Sequence, residues 1–264
     1  MENYETIAVE KKDYICTLWL ARPEKRNAIN RQMAAELVLF LASAEDDPHI
    51  RVVILRGQGD YFCAGGDLKW MSQSDSLPPK ERSGRVLAEL YLSFFRFPKP
   101  LIALVHGAAM GGALGMIANS DFVLAENQTV FSFSEVKLGL IPSTISPFVI
   151  KRIGELNARQ LMLSAAKINA AEAIGFRLAD KAGTMGQLEQ YVRELAIEMA
   201  GNAPEAMKAC KRLIQHVAGK DIDFELSKYT ADLLTKLQKG EEAQEGMKAF
   251  LEKRKPAWPE KKKE

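Results

Sequence analysis

The chain has 264 residues, of which 47% are hydrophobic and 27% are charged. These proportions are ordinary for a globular protein and exclude a disordered or collagen-like chain. The 36 basic and 34 acidic side chains give a formal net charge of +2, so the charge balance gives no reason to expect a polyanionic partner. Three cysteines, Cys16, Cys63 and Cys210, are too scattered for a disulfide framework or a zinc site, and no other metal-ligand cluster is visible.

No apolar run approaches the roughly 18 residues that a membrane helix needs, and no signal-peptide pattern is visible near the N-terminus. We therefore expect a cytoplasmic protein with reduced thiols and no membrane partner. The lysines at 261–263 are expected to form a solvated tail.

The first half of the chain alternates predicted strands and helices. Two β-rich runs at 6–10 and 14–20 flank a polar break and predict a hairpin. Asn30 is the predicted N-cap of a helix over 31–44. The further predicted elements are buried strands at 52–55, 101–105 and 122–125, a helix at 85–94, a helix start at 67–71, a loop at 57–66 and a mobile surface loop at 72–82. This alternation favours an α/β layer architecture with a largely parallel sheet.

Helical patterns dominate after Pro142. The predicted helices cover 147–153, 155–165, 170–174, 187–200, 204 onward, 224–238 and 241–253. The change of character divides the chain into an α/β core, residues 1–195, and a helical C-terminal region, residues 196–264.

Few local patterns indicate a nucleophile or a nucleotide site. There is no Gly-x-Ser-x-Gly motif, no Walker loop and no Gly-x-Gly-x-x-Gly after a predicted strand. The chain has three histidines, His49, His106 and His216, and a Ser–His–Asp triad assembled by the fold is supported by no local pattern.

Two glycine-bearing turns each follow a predicted buried strand and precede a predicted helix. The first spans 62–68 and contains Gly65 and Gly66, and the second spans 106–113 and contains Gly111 and Gly112. Small residues let a ligand approach the main chain, and amides at a helix start are ready donors. Two such turns facing one point would form an oxyanion hole for a carbonyl oxygen that becomes an enolate. The alternative is that the glycines serve only a tight turn and close helix–strand packing.

Glu135 stands among apolar and small residues in the segment 131–142. Burial would raise the pKa of its carboxyl and suit it to proton transfer. The alternative is a solvent-facing glutamate in an alternating strand, paired with Lys137.

Together these segments resemble the enoyl-CoA hydratase/isomerase, or crotonase, family. The resemblance covers almost the whole chain and runs, in order, through 22–30 (RPEKRNAIN), 62–68 (FCAGGDL), 99–107 (KPLIALVHG), the glycine pair, 134–142 (SEVKLGLIP) and 245–254 (EGMKAFLEKR). It implies an α/β, crotonase-like spiral of strand–strand–helix units with a helical C-terminal region that trimerises, often into a dimer of trimers. It also implies an acyl-coenzyme A thioester as substrate, with coenzyme A as part of that substrate and no separate cofactor.

The resemblance assigns roles by motif position. The backbone amides of Gly66 and Gly112 would form the oxyanion hole, and Glu135 would be the catalytic acid or base. The candidates for substrate contact are Ala64 against the adenine, Lys25 and Arg26 near the nucleotide end, Phe250 and Lys253 closing the site across a subunit boundary, and Asp67, Leu68, Gly115, Ser143 and Thr144.

One departure from the two-glutamate hydratases bears directly on the reaction. The first of their two glutamate positions is Gly115 here, and no acid lies between Gly107 and Ser120. Hydration ordinarily uses one carboxylate to activate water and one to handle the α-proton, so a lone glutamate argues against simple crotonyl-type hydration. Hydroxyls at Ser143 and Thr144 stand where those enzymes are glycine-rich and could orient water.

The segment 134–149 resembles the methylglutaconyl-CoA and carboxygeranoyl-CoA hydratase-like branch. This predicts hydration of a 2-enoyl-CoA, with a branched or carboxylated acyl group among the candidates. Isomerisation between 3-enoyl and 2-enoyl thioesters is the main alternative, because it needs only one base. RNA binding and a non-catalytic scaffold are weaker alternatives, since no RNA-binding motif accompanies the basic tail and a scaffold needs neither Glu135 nor the glycine turns.

Overall fold

The computed structural model describes residues 4–73, 76 and 78–258. Within these ranges the strands are β1 Ile7–Lys12, β2 Ile15–Leu20, β3 Val52–Gly57, β4 Leu101–Val105, β5 Ala108–Met110, β6 Phe122–Glu126, β7 Val130–Ser132 and β8 Lys181–Gly183. Six of them form one sheet in the order β1-β2-β3-β4-β6-β8, and β5 pairs with β7 in a smaller sheet. The β1–β2 hairpin is antiparallel, as the sequence predicts, and the other pairs are parallel.

The helices of the described ranges agree closely with the apolar periodicity. They are α1 Arg31–Asp46, α2 Leu68–Ser72, α3 Ser83–Arg96, α4 Ala113–Ala118, α5 Ser146–Ile153, α6 Glu155–Ser164, α7 Ala170–Gly175, α8 Met185–Ala200, α9 Pro204–Val217, α10 Phe224–Gln238 and α11 Glu241–Leu251. Asn30 caps α1, with its side chain accepting a hydrogen bond from Met33 N at 2.9 Å. No helix of the described residues is long and apolar enough to cross a membrane.

Both faces of the large sheet are covered, which explains its continuous apolar strands. In β4, Leu101, Ala103 and Val105 pack into one apolar cluster with α1 and α3. The alternate residues Ile102 and Leu104 pack into a second cluster with α8. A strand buried on both faces leaves no position for a polar side chain, so its sequence reads as an apolar run.

Successive turns of the chain add a strand to each sheet. β4 is followed by β5 and then α4, and β6 is followed by β7. Cys63, after β3, forms a parallel bridge with Ala109 of β5, so the smaller layer continues into the preceding turn. This repeat is the strand–strand–helix spiral that the resemblance implies.

The sequence prediction missed three short strands, β5, β7 and β8. Each has three residues, and β5 (AAM) and β8 (KAG) carry no β-rich pattern. They form because the spiral places them beside partners, an interaction that a local pattern does not contain. The second glycine turn therefore contains a strand, where the sequence predicted only a turn between strand and helix.

Three further predictions concern the loop 72–82, the lysines at 261–263 and the boundary at residue 195. In the predicted loop 72–82, a short 3-10 turn spans Pro79–Glu81, while 74, 75 and 77 lie outside the described residues. The lysines at 261–263 also lie outside them. The predicted boundary at 195 falls inside α8, whose Ala196 and Ala200 still pack on the sheet, so the change to a wholly helical region comes after Ala200.

The C-terminal helices expose apolar side chains in the single chain. α9 and α10 have no buried residue, and Ile214, Phe224 and Leu234 are exposed. Trimerisation through this region stays a prediction.

Candidate active site

The two glycine turns lie side by side because the chain segments before them pair. Cys63 and Ala109 form the parallel bridge, which is flanked by backbone hydrogen bonds of 3.0 and 3.1 Å. Gly66 and Gly112 each stand three positions beyond a bridged residue. Since parallel segments advance in the same direction, the two turns reach this point in register.

The amides of Gly66 and Gly112 are neighbours, and neither has an acceptor among the described residues. A Cβ added to Gly112 would lie 3.5 Å from Gly66 N, and one added to Gly65 would lie 3.4 Å from Gly112 N. The adjacent amides of Gly111 and Asp67 each donate to a backbone carbonyl at 2.9 Å. Over the described ranges no acceptor faces the amides of Gly66 and Gly112. Two adjacent unused donors can hold one oxyanion.

Glu135 lies directly beside these amides. A Cβ added to Gly111 would be 3.2 Å from its Oε1, so the carboxylate stands over the residue that precedes Gly112. Its Oε2 is buried and accepts no hydrogen bond from the described residues. Burial raises the pKa of the Glu135 carboxyl above its ordinary value. A buried carboxylate oxygen without a donor is costly, and such groups concentrate at functional sites.

A short 3-10 turn, Glu135–Leu138, holds this carboxylate in place. The turn follows β7 and ends at Gly139, whose φ of 70° lies in the left-handed region that favours glycine. The alternative of a strand glutamate paired with Lys137 is wrong, since Glu135 is outside β7 and no ion pair joins the two side chains among the described residues.

A cavity of about 750 Å³, here called the side cavity, adjoins this arrangement. Met71 connects the two, because it lines the cavity and its Sδ lies 2.6 Å from where a Gly66 Cβ would stand. Leu138 and Leu140 also line it, and Leu140 N donates to Glu135 O at 3.1 Å. The side cavity therefore adjoins both the first glycine turn and the segment that carries the acid.

The sequence profile of the family described as Enoyl-CoA hydratase/isomerase matches residues 10–261. The chain belongs to the enoyl-CoA hydratase/isomerase family. The mevalonyl-coenzyme A hydratase sidH of Aspergillus fumigatus is 32% identical over 248 residues, which are 93% of this chain and 91% of that protein. The crotonyl-CoA hydratase of Syntrophomonas wolfei is 31% identical over 254 residues, 96% of this chain and 97% of that protein.

The fold is the crotonase fold. The crystal structure of an enoyl-CoA hydratase from Shewanella pealeana matches with a TM-score of 0.92 at 32% identity, covering 97% of both chains.

Gly115 corresponds, by the sequence resemblance, to the first glutamate of the two-glutamate hydratases. In this family member other side chains occupy the space beside it. A Cβ on Gly115 would lie 2.5 Å from Ile145 Cγ2 and 2.6 Å from Tyr91 Cε1. Tyr91 is fully buried, and its hydroxyl donates to Gly112 O at 2.9 Å. Gly115 is thus enclosed in the interior instead of lining an open site. The sequence analysis missed Tyr91, which reads as an ordinary member of the apolar face of α3.

The carboxylate of Asp67 is engaged within the protein. It accepts hydrogen bonds from the amides of Lys69 and Trp70 at 3.1 and 3.3 Å and so caps α2. It also lies 3.3 Å from the guanidinium of Arg22. Asp67 therefore helps to hold the turn that carries Gly66, and its contact with substrate stays a prediction.

The residues predicted near the nucleotide of coenzyme A lie close to one another, beside the first glycine turn. Ala64 N donates to Arg26 O at 2.9 Å, and the Arg26 guanidinium lies 5.1 Å from the centre of the Tyr61 ring. Lys25 ends a 3-10 turn just before Arg26, and both side chains are exposed. Their contact with coenzyme A stays a prediction.

The remaining predicted residues are less closely joined to the acid. Ser143 is exposed and Thr144 half-buried in the segment before α5. Phe250, 83% exposed, and Lys253 lie at the end of α11. Within the described residues no hydrogen bond or ion pair connects these four to Glu135 or the glycine turns, and their contact with substrate stays a prediction.

The structure does not support nucleophilic catalysis by Cys63 or a Ser–His–Asp triad built on His106. Burial raises the pKa of Cys63 to about 12, so its thiol is protonated at neutral pH and a poor nucleophile. His106 Nε2 lies 2.7 Å from Gly59 O, a backbone partner instead of a serine.

Proposed function

We propose that the chain is an enoyl-CoA hydratase that adds water to a 2-enoyl-CoA thioester. The proposal rests on a buried oxygen of Glu135 beside two adjacent amides, none of which has a hydrogen-bond partner among the described residues. The hydratase names of the relatives described above support the same direction of chemistry.

In this proposal the thioester oxygen accepts hydrogen bonds from Gly66 N and Gly112 N. Attack of water at the β-carbon moves the electron pair of the double bond toward that oxygen, and each amide donor stabilises the resulting enolate by roughly 3–4 kcal/mol. The donors are fixed by the bridge before them, so they need no reorganisation during the reaction.

Glu135 handles both proton transfers. Its ionised carboxylate takes a proton from the attacking water, whose oxygen bonds to the β-carbon. The protonated carboxyl then gives that proton to the α-carbon of the enolate, so the elements of water are added and the ionised carboxylate is regenerated. A raised pKa suits this exchange, because the carboxyl must both accept and release a proton near neutral pH. Hydroxyls at Ser143 and Thr144 are proposed to help orient the water.

For the acyl group we propose a branched or carboxylated 2-enoyl chain of the methylglutaconyl type, which rests on the sequence resemblance of the segment 134–149. Lys25, Arg26 and Ala64 are proposed to bind the nucleotide of coenzyme A. A trimer or dimer of trimers is proposed to bring Phe250 and Lys253 of one subunit to the site of another. A cytoplasmic location is part of the same proposal.

The second candidate function is isomerisation of a 3-enoyl to a 2-enoyl thioester. The packing of Tyr91 and Ile145 against Gly115 favours it, because a second acid has no place there and isomerisation needs only one base. In that reaction Glu135 would take the α-proton and return it to the γ-carbon, with the enolate held by the same amides.

The test incubates the purified protein with 2-enoyl and 3-enoyl thioesters and identifies the products by mass. A mass gain of one water molecule from the 2-enoyl thioester supports hydration, whereas an unchanged mass with a moved double bond supports isomerisation. Glu135→Gln should lower turnover by about 10²–10⁴-fold, the usual contribution of a positioned acid–base group. Affinity for a saturated acyl-CoA should change little.

Glu155→Gln is the matched control, since Glu155 is exposed on α6 and pairs with the exposed Arg159. It should keep full turnover. A Glu135→Gln variant that retains most of its activity removes Glu135 from the mechanism.

A further inference from the structure

The side cavity has an apolar part and a positively charged part. Leu68, Met71, Leu138 and Leu140 give it apolar walls, and Met71 also contacts the position of a Gly66 Cβ. Arg82 and Arg85, at the start of α3, line the same cavity. The cavity beside the first glycine turn therefore combines leucine and methionine side chains with arginine side chains.

The charge of Arg85 has no acidic counterpart among the described residues of the cavity. Among the described residues that line it, none is aspartate or glutamate. The acids nearest Arg85 in sequence are Glu81, which is paired with Arg31 at 2.9 Å, and the exposed Glu89, which forms no ion pair with Arg85 among the described residues. Over the described ranges the guanidinium of Arg85 has no hydrogen-bond or ion-pair partner. Arg85 is exposed, so its charge is accessible to a bound molecule.

A purely hydrocarbon acyl chain would be a poor match for this cavity. Its end would displace water from a guanidinium and offer no acceptor in return, which costs free energy. A carboxylate at the end of the chain instead accepts two parallel N–H bonds from one guanidinium, the geometry that arginine favours. The apolar walls would hold the intervening carbons.

We propose that Arg85 determines acyl specificity by binding a carboxylate at the far end of the acyl group, so that thioesters of dicarboxylic acids are the preferred substrates. This inference rests on the proposed function, since it needs an acyl thioester in the site. It adds a residue and a charge to that proposal, whereas the sequence resemblance left the acyl group as one of several kinds.

The test measures the binding of two saturated thioesters that do not react with water, glutaryl-CoA and pentanoyl-CoA. They share a five-carbon acyl chain, and only the first ends in a carboxylate. By calorimetric titration the parent protein should bind glutaryl-CoA about 10- to 100-fold more tightly, as expected for a charge-assisted hydrogen-bond pair. Arg85→Gln should abolish or reverse that preference while leaving the affinity for pentanoyl-CoA unchanged, and Arg85→Lys should retain part of it.

Arg96→Gln is the matched control, because Arg96 is an exposed arginine in the last turn of the same helix. It should leave both affinities as they are. Equal affinity of the parent for the two thioesters overturns the inference while the thioester site stands. An equal loss of both thioesters in Arg85→Gln also overturns it, since that result assigns Arg85 to the coenzyme A phosphates. If neither thioester binds the parent, the proposed function fails as well.

Discussion

The packing around Gly115 predicts a measurable cost for adding one methyl group there. In Gly115→Ala the new Cβ would lie 2.5 Å from Ile145 Cγ2 and 2.6 and 2.7 Å from two carbons of the Tyr91 ring. The ring cannot move away easily, because Tyr91 is fully buried and its hydroxyl is tied to Gly112 O. Overpacking of this kind costs about 1–3 kcal/mol, and replacing glycine by alanine in a helix returns about 0.5–1 kcal/mol. The expected net loss is therefore about 1–2 kcal/mol of unfolding free energy.

Urea unfolding of the two proteins measures this loss, and for a chain of this size it corresponds to a fall in Tm of about 2–4 °C. Gly186→Ala is the matched control, because Gly186 lies in α8 and a Cβ there meets no atom within 4 Å. That variant should be as stable as the parent or gain up to about 1 kcal/mol. A Gly115→Ala protein as stable as the parent would show that the position has room. The argument that a second acid has no place there would then be wrong.

The remaining predictions concern the acid and the cap of α2. Because burial raises the pKa of Glu135, kcat/KM for hydration should fall as the pH drops through that raised value, instead of at the lower pH typical of an exposed glutamate. The raised pKa also means that the fold favours the protonated carboxyl. Glu135→Gln should therefore raise the free energy of unfolding above that pKa, and urea titrations should show the gain disappearing below the ordinary glutamate pKa of about 4.3. Asp67→Ala should lose about 1–2 kcal/mol of stability and also lower kcat/KM, because the Gly66 amide loses its support. Thr184→Ala, which removes the cap of α8 away from the glycine turns, should lose stability alone, and a parallel fall in its kcat/KM would contradict the positioning role of Asp67.

Most of the long strands and helices could be predicted from the sequence because the patterns that indicate them are local. The strand at 101–105 is apolar at every position since both of its faces are buried, and Asn30 signals the start of α1 by its own side chain. The parts that escaped prediction depend on partners distant in sequence. β5 pairs with β7 and with Cys63, which are distant in sequence, and its small residues had predicted only a turn.

The same distinction applies to the site. The glycine turns and Glu135 could be singled out, but which alternative held for Glu135 depended on burial, which no spacing encodes. Tyr91 was missed because its hydroxyl meets a carbonyl 21 residues away, while its ring continues an apolar helix face. Arg85 lies on a surface helix where arginine is common, and only the cavity beside it distinguishes it from other surface cations.

Because Cys63 and Ala109 are paired, the positions of the Gly66 and Gly112 amides depend on how many residues separate each glycine from the bridge, more than on which side chains those residues carry. A substitution at Gly66 or Gly112 can crowd an amide but cannot remove it, apart from proline, which has no N–H. Inserting or deleting one residue in either turn would instead shift one donor by about 3.3 Å along the chain, the rise of an extended residue. Such a change would separate the pair even if every side chain around it were kept. A change in the length of either turn is therefore expected to separate the two amides, whereas most substitutions in the turns leave both N–H groups in place.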